Sequence, residues 1–195
     1  MEVAVSLYSI FVFLHVVGAL GLFAGIGLEQ VALANLRGCS TIAQAREWIA
    51  LLGGLRRIDT PSGLLILATG FYMVAARWGH QAWIGLAILG MVVMAFLGVA
   101  LTARRAAAIR KALADVEGPI PAALRHHLND RVLRTAASLR AALALGIVFN
   151  MSVRPVSVAA LVVMVVALAI GAIIAAAPRP GGRQVTSSGQ QSAEA

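Results

Sequence analysis

The stretch VSVAALVVMVVALAIGAIIAAA, residues 156–177, carries no charged side chain. A transmembrane helix needs roughly 20 predominantly apolar residues, and this stretch is long enough. The rest of the chain has the same character, since 60% of its 195 residues are hydrophobic, 12% are charged, and the mean hydropathy is +0.88. Soluble domains are nearer half apolar and a quarter charged. The sequence therefore predicts an all-α, polytopic transmembrane helix bundle and excludes disordered, collagen-like and disulfide-scaffold classes.

Four further stretches are candidate membrane spans. They cover residues 3–28, 61–76, 82–103 and 136–153. The last has a short purely apolar part, and Arg140 lies near one end of it. If the Arg140 side chain snorkels to the interface, its cost falls well below that of a charge at the bilayer centre. We therefore expect five spans, with four as the alternative.

The positions of the basic residues predict the topology, because Lys and Arg in short loops favour the cytoplasm. With five spans, fourteen of the sixteen Lys and Arg residues fall on one side, and Arg77 and Arg154 fall on the other. This split predicts a multi-pass protein with the N-terminus outside and the C-terminus in the cytoplasm. It also explains the net charge of +8 by contact with anionic lipid headgroups on the cytoplasmic side. No nucleic-acid motif accompanies these charges, so no nucleic acid is expected as a partner.

The composition changes near the C-terminus. We expect the transmembrane bundle to cover residues 1–177, while the Pro, Gly, Ser and Gln content of residues 178–195 predicts a disordered cytoplasmic tail. Helical cytoplasmic extensions are also expected. Residues 103–116 should continue the third span, and Pro121 should begin a long helix that becomes the fourth span.

The approach to the second span carries two helix-start patterns. Thr41 with Gln44 three residues later is a capping-box pattern at the start of an amphipathic helix. Asp59 or Thr60 can accept hydrogen bonds from the first free amides of the second span, with Pro61 at its first helical position. We therefore expect a short amphipathic helix followed by a separate span.

His15 is the ionisable residue in the middle of the first span, and such a residue is a functional hypothesis by default. Helical spacing puts it on one stripe with Gly18, Leu22, Gly25 and Glu29, so its side chain should face the bundle interior. Neutral imidazole is a common ligand of haem iron and copper, which makes His15 a candidate cofactor-binding residue. The alternative is a histidine hydrogen-bonded to a neighbouring helix. The candidate partners for that bond are Thr69, Tyr72 and Asn150.

The other titratable residues give weaker indications. His80 falls in an outer turn, and His126 and His127 point about 100° apart on a helix, so they cannot easily share one metal ion with Asp130. We expect Glu29, Gln30 and Asp59 to fix helix ends by pairing with Arg56 or Arg57, and these carboxylates are too isolated for a proton relay. No metal site is assigned.

No phosphate loop, catalytic triad, Cys-x-x-Cys or His-Glu-x-x-His pattern is present, and the single cysteine, Cys39, cannot form an internal disulfide. The sequence therefore favours a protein that is not an enzyme.

The segment FLHVVGALGLFAG, residues 13–25, resembles a group of small bacterial polytopic proteins with a Leu-His-x-x-Gly-Ala pattern in the first span. The chain looks most like the integral membrane family catalogued as domain of unknown function 2269. TGFYMV at 69–74 is similar to a Thr-Gly-x-Tyr-Leu pattern of that family, and MSVRP at 151–155 to its terminal Met-x-x-Lys-Pro. The similarity spans about residues 5–155 and implies a bundle in the bacterial plasma membrane.

The first-span histidine pattern is also similar to that of copper-resistance D-type proteins and of the J-type protoporphyrinogen oxidase. This resemblance implies that His15 is a haem or metal ligand. The chain departs from both groups, because it lacks the further His and Lys positions expected of a working oxidase and adds the span at 156–177.

The sequence thus favours an integral membrane protein of the bacterial plasma membrane, acting as a non-enzymatic bundle or partner subunit, with a homo-oligomer or another membrane protein as a possible partner. The alternative is a haem- or copper-binding redox protein that uses His15. Its missing ligand would come from His80, from a second protomer, or from a methionine such as Met73, Met91 or Met94. A transporter ranks last, since an odd number of spans argues against a duplicated repeat.

Overall fold

The structure is a computed structural model that describes residues 6–79 and 81–177, apart from the side chains at positions 123, 126 and 127. The expected tail at 178–195 lies outside the described residues. The described chain forms eight α-helices and two π-helical segments. The α-helices are α1 (Leu7–Gly38), α2 (Ile42–Gly54), α3 (Arg56–Met73), α4 (Ala82–Phe96), α5 (Arg104–Leu113), α6 (Ala122–Leu128), α7 (Arg131–Val153) and α8 (Ser157–Ala176). The π-helical segment Val74–Trp78 extends α3, and the segment Leu97–Ala103 joins α4 to α5.

Five helices have the length and composition to cross a membrane. They are α1, the nearly continuous α2–α3 pair (Ile42–Trp78), the α4–α5 pair (Ala82–Leu113), α7 and α8. The predicted all-α bundle of five spans is therefore confirmed as an architecture. Leu20, Phe96 and Ile173 are among the many large apolar side chains left exposed on the outside of these helices, as expected of surfaces that face lipid.

The basic end of the bundle, which we define as the end formed by α2, α5 and α6, has its own hydrophobic core. Leu36, Ile42, Ile49, Leu113 and Leu133 are almost completely buried there. The predicted helical continuation of the third span is confirmed as α5, which ends at Leu113. The start of α2 is confirmed too, since Thr41 Oγ1 accepts a hydrogen bond from the Gln44 amide at 3.4 Å. These contacts make the extensions part of the fold.

Arg46 of α2 ties this end together. Its guanidinium donates to the backbone oxygens of Leu113, Ala114 and Val116 at 2.7–3.0 Å. These carbonyls lie at and beyond the C-terminal end of α5, where helices leave acceptors without partners. Arg46 therefore satisfies the end of α5 from a neighbouring helix.

Two expected helix starts are wrong. Asp59 does not cap the second span, because α3 begins at Arg56 and includes Pro61 inside it, and the Asp59 amide donates to the Leu55 oxygen at 2.9 Å. The helix begins early because α2 runs almost directly into α3.

The helix from Pro121 does not become the fourth span either, since α6 ends at Leu128, and the Asp130 side chain caps α7 by accepting from the Val132 amide at 2.7 Å.

Small residues let two pairs of helices approach closely. A Cβ added at Gly18 of α1 would lie 3.0 Å from Ile66 Cγ1 of α3, and one added at Gly171 of α8 would lie 3.0 Å from Ala142 Cβ of α7. Such contacts are typical of helix packing in membranes. α1 packs mainly on α3, and α7 on α8 and α4, whereas the backbones of α3 and α4 lie apart and only side chains meet between them. The bundle is therefore open between α3 and α4.

Candidate functional site

Three helices bring charged side chains together in the interior, at the junction of α1, α3 and α7. Arg140 of α7 donates from Nη1 to Glu29 Oε2 of α1 and from Nη2 to Asp59 Oδ2 of α3, the latter at 2.8 Å. The exposed fractions of the side chains are 7% for Arg140, 2% for Glu29 and 20% for Asp59. We call these three residues the Arg140 cluster.

Two glycines make room for this cluster. A Cβ added at Gly25 of α1 would lie 1.9 Å from Asp59 Oδ1, and one added at Gly98 would lie 3.3 Å from Arg140 Cζ. Gly98 belongs to the π-helical segment between α4 and α5, and π-helical turns are frequent at functional sites because they re-aim side chains. The cluster therefore requires small residues at both of these positions.

The hydrogen bonding of the cluster is incomplete. Glu29 Oε1, Asp59 Oδ1 and Arg140 Nε are buried without a partner, and so is Oγ1 of Thr102, which lies beside Glu29. Buried polar atoms normally have partners, and orphaned ones need an explanation. The cluster also holds two carboxyl groups against one guanidinium, so its charges do not balance if all three groups are ionised.

A cavity of about 620 Å³ adjoins the cluster and extends toward the basic end. Glu29, Asp59 and Arg140 line it, together with apolar side chains of α3 and α4. Arg56 and Arg110 lie on its rim, both exposed and without a hydrogen-bond or ion-pair partner among the described residues. We call this space the basic-end cavity.

A second cavity of about 340 Å³, the outer cavity, lies nearer the opposite end. Trp78 and Trp83 line it in an edge-to-face arrangement, and Trp78 Nε1 donates to the Tyr8 hydroxyl at 2.9 Å. The guanidinium of Arg154 lies 4.3 Å from the centroid of the Trp78 ring. These contacts join α1, α3, α4 and the turn before α8 around the outer cavity.

The two cavities share part of their lining. Both are bordered by Leu22, Leu67, Met91 and Met94. The cavities therefore lie side by side in a largely apolar space between the backbones of α3 and α4, which side chains of α1 and α7 also line. We call it the α3–α4 cleft.

His15 is half-buried and borders the outer cavity. Its Nδ1 lies 3.1 Å from the Ile66 oxygen and 3.0 Å from Thr69 Oγ1, both on α3. Because a carbonyl oxygen only accepts, this geometry puts the proton on Nδ1 and leaves Nε2 with a lone pair. The predicted stripe is confirmed, since Gly18, Leu22 and the rest of it are buried, and Thr69 is one of the partners expected for a hydrogen-bonded histidine.

Several expectations about the charged residues are wrong. Arg140 does not snorkel to the interface, because two carboxylates hold it inside the bundle. Glu29 and Asp59 pair with Arg140 and not with Arg56 or Arg57, and they are not isolated from each other.

The remaining histidines lie outside what the structure describes in full. His80 lies outside the described residues, as do the side chains of His126 and His127. Asp130 caps α7 and pairs with Arg105. Among the residues that the structure describes, no three His, Cys, Asp or Glu side chains are grouped to hold a metal ion.

The sequence contained one signal for the Arg140 cluster. Glu29 lies one helical turn after Gly25 on the predicted stripe of α1, and Arg140 interrupts the predicted fourth span. Charges inside predicted spans pair with one another in most membrane proteins. The sequence did not show which charges are neighbours.

Comparison of the chain with protein-family models, with curated proteins and with solved structures finds no match in any of the three.

Proposed function

We propose that this chain is a non-enzymatic integral protein of the bacterial plasma membrane that binds a lipid-like amphiphile in the α3–α4 cleft. The observation that carries the proposal is the cleft itself, a largely apolar space between two spans whose backbones lie apart. The excess of Lys and Arg at the basic end supports a cytoplasmic position for this end, with the N-terminus outside. The first-span resemblance to small bacterial membrane proteins supports the same location.

The shape and polarity of the cleft favour an amphiphile. Its apolar walls, such as Leu64, Leu67 and Val92, fit an acyl chain that lies along the helices. Arg56 and Arg110, on the rim at the basic end, would meet the headgroup. Unpaired guanidinium groups recognise phosphate through charge-assisted hydrogen bonds, so we propose an anionic phospholipid as the occupant.

A substitution that fills the cleft without changing the rest of the bundle tests the proposal. A side chain at Gly63 grows from α3 into the basic-end cavity, since a Cβ there would lie 3.9 Å from Met91 Cε. Gly85 on α4 is a matched control, because a Cβ there meets nothing within 4 Å. We expect wild type and Gly85→Leu to retain phospholipid through detergent purification, and Gly63→Leu to lose it, as counted by native mass spectrometry.

Headgroup preference is a separate measurement. Wild type should retain phosphatidylglycerol in preference to phosphatidylcholine after exchange into mixed nanodiscs, and Arg56→Gln/Arg110→Gln should lose that preference. Arg57→Gln/Arg104→Gln removes two exposed arginines that do not line the cleft and should keep it. Equal lipid retention by Gly63→Leu and wild type would reject the binding function, whereas equal headgroup preference in all variants would reject only the anionic ligand.

A second candidate function is copper or haem binding at His15. The hydrogen bond from Nδ1 to a backbone oxygen is the arrangement that orients metal-ligating histidines, and it leaves the Nε2 lone pair for coordination of a metal. Thioether side chains that border the same outer cavity suit copper(I) better than haem. They are Met73, Met91, Met94 and Met151.

The test of this candidate is metal analysis and absorption spectroscopy of oxidised and reduced protein, before and after anaerobic addition of copper(I) or of haem. Stoichiometric binding that His15→Ala abolishes would support the redox function. Protein that takes up neither would leave His15 as a packing residue, and His15→Ala should then fold almost unchanged.

A further inference from the structure

We infer that the Arg140 cluster binds one proton, and that the proton lies on Glu29 Oε1. This inference concerns the ionic cluster alone and is independent of what occupies the cleft.

The first argument is the charge count. Glu29 and Asp59 carry two potential negative charges, and Arg140 carries one positive charge. The other charged groups near the cluster are Arg56 from α3 and Arg110 from α5, both exposed on the rim of the basic-end cavity, where water screens them. An unbalanced charge away from water costs several kcal/mol in general, on the order of the desolvation penalty of one buried ion, so binding one proton is the simplest way to balance the cluster.

The second argument places the proton on Glu29. The Glu29 side chain is 2% exposed and that of Asp59 is 20% exposed, so the ionised form is more costly at Glu29. Asp59, the more exposed of the two, accepts from Arg140 Nη2 and borders the cavity. A neutral Glu29 still accepts from Arg140 through Oε2, because a carbonyl oxygen accepts as a carboxylate oxygen does.

The third argument is the pattern of unpartnered atoms. Glu29 Oε2 accepts from Arg140 Nη1, whereas Glu29 Oε1 is buried without a partner. Oε1 is therefore the oxygen that is free to carry the proton. The nearby Thr102 hydroxyl can donate to a carboxylate or accept from a carboxylic acid, so it accommodates either form of Glu29.

The proton has a path from water. Glu29 borders the basic-end cavity, and this cavity is open at the rim that Arg56 and Arg110 form. In the binding step, the Glu29 carboxylate takes a proton from hydronium and forms an O–H bond, and one water molecule remains in the cavity. The net charge of the cluster changes from −1 to zero.

Infrared spectroscopy of the full chain in lipid nanodiscs tests the inference at pH 7. A protonated carboxylic acid shows a carbonyl band that a carboxylate lacks. We expect this band in wild type and its loss in Glu29→Gln. Asp59→Asn should lose it as well, because an ionised Glu29 then balances the charge of Arg140. Glu47→Gln, which changes an exposed carboxylate of α2, is the matched control and should keep the band.

Melting temperature gives an independent readout. Because Glu29 is already neutral, its amide replacement should leave the melting temperature unchanged. Asp59→Asn should lower it, because the counter-charge of Arg140 must then come from the more deeply buried Glu29. A wild-type spectrum without the band, a band that Asp59→Asn removes and Glu29→Gln keeps, or a Glu29→Gln melting temperature as low as that of Asp59→Asn would each overturn the inference. Wild type and Glu29→Gln decide the question alone if Asp59→Asn does not fold.

Discussion

Replacement of Arg140 by methionine should be among the most destabilising single changes in the chain. Methionine keeps most of the side-chain volume and removes the guanidinium that bonds to both Glu29 and Asp59. Removing one partner of a buried ion pair leaves an uncompensated charge and typically costs about 3–5 kcal/mol. With about 2–4 °C per kcal/mol for a protein of this size, Arg140→Met should lower the melting temperature by roughly 6–20 °C.

A cycle of variants separates lost pairing from lost packing. The triple variant Glu29→Gln/Asp59→Asn/Arg140→Met removes all three charges while keeping similar shapes. Replacing a whole buried ionic cluster is often close to neutral, so the triple variant should recover most of the stability that Arg140→Met alone loses. Arg131→Met is the matched control, since it changes an exposed arginine at the start of the same helix and should stay within about 0.5 kcal/mol of wild type.

The assay is reversible unfolding in mixed micelles with increasing denaturing detergent, checked by thermal melting in nanodiscs. An Arg140→Met variant as stable as Arg131→Met would refute the reasoning, because the ion pairs of the Arg140 guanidinium would then add nothing to the stability. A triple variant no more stable than Arg140→Met would show that packing accounts for the loss.

Three further predictions concern Gly25, Arg46 and Cys39. Gly25→Ala puts a methyl group 1.9 Å from Asp59 Oδ1 and should lower the free energy of unfolding by about 1–3 kcal/mol. Gly27→Ala puts a methyl group where no atom lies within 4 Å and should leave the free energy of unfolding unchanged. Equal losses in the two variants would contradict this. Arg46→Met leaves carbonyls at the end of α5 without a donor, and hydrogen exchange of the α5 amides should rise; unchanged exchange would show that water replaces Arg46. Cys39 is buried, and burial, followed by the nearby Glu47 charge, raises the pKa of its thiol. The reactive thiolate is therefore scarce at neutral pH, so maleimide labelling should be slow in the folded protein, rise with pH, and become rapid on unfolding. Fast labelling of folded protein at pH 7 would contradict the burial.

The position of the Arg140 cluster limits how the cleft can work. The cluster joins α1 and α3 to α7, whereas no ion pair joins α3 to α4 among the described residues. Movement of α4 relative to α3 can therefore widen the cleft while the cluster stays intact. The proposed lipid binding in the cleft and the proposed proton on Glu29 are separable for this reason.

The local features that the sequence determined are those that depend on short stretches of chain. Hydropathy located the apolar helices because each span must satisfy its backbone hydrogen bonds within itself, whatever its neighbours are. The capping of α2 at Thr41 and the buried stripe of α1 below His15 follow from helical spacing in the same way. The end of α6 was missed, because the Asp130 cap that interrupts the helix competes with an otherwise favourable helical pattern.

The pairing of charges and the opening of the bundle were decided by tertiary structure. Arg140 is 111 residues from Glu29 and 81 residues from Asp59, and no local pattern tells which helices will be neighbours. Arg56 and Arg57 are closer to Asp59 in sequence, yet Arg140 pairs with its carboxylate, and the glycines at positions 25 and 98 leave room for these two side chains. The physical reason is that burial raises the cost of every unpaired charge, so the packed bundle, and not the order of residues, selects the partners.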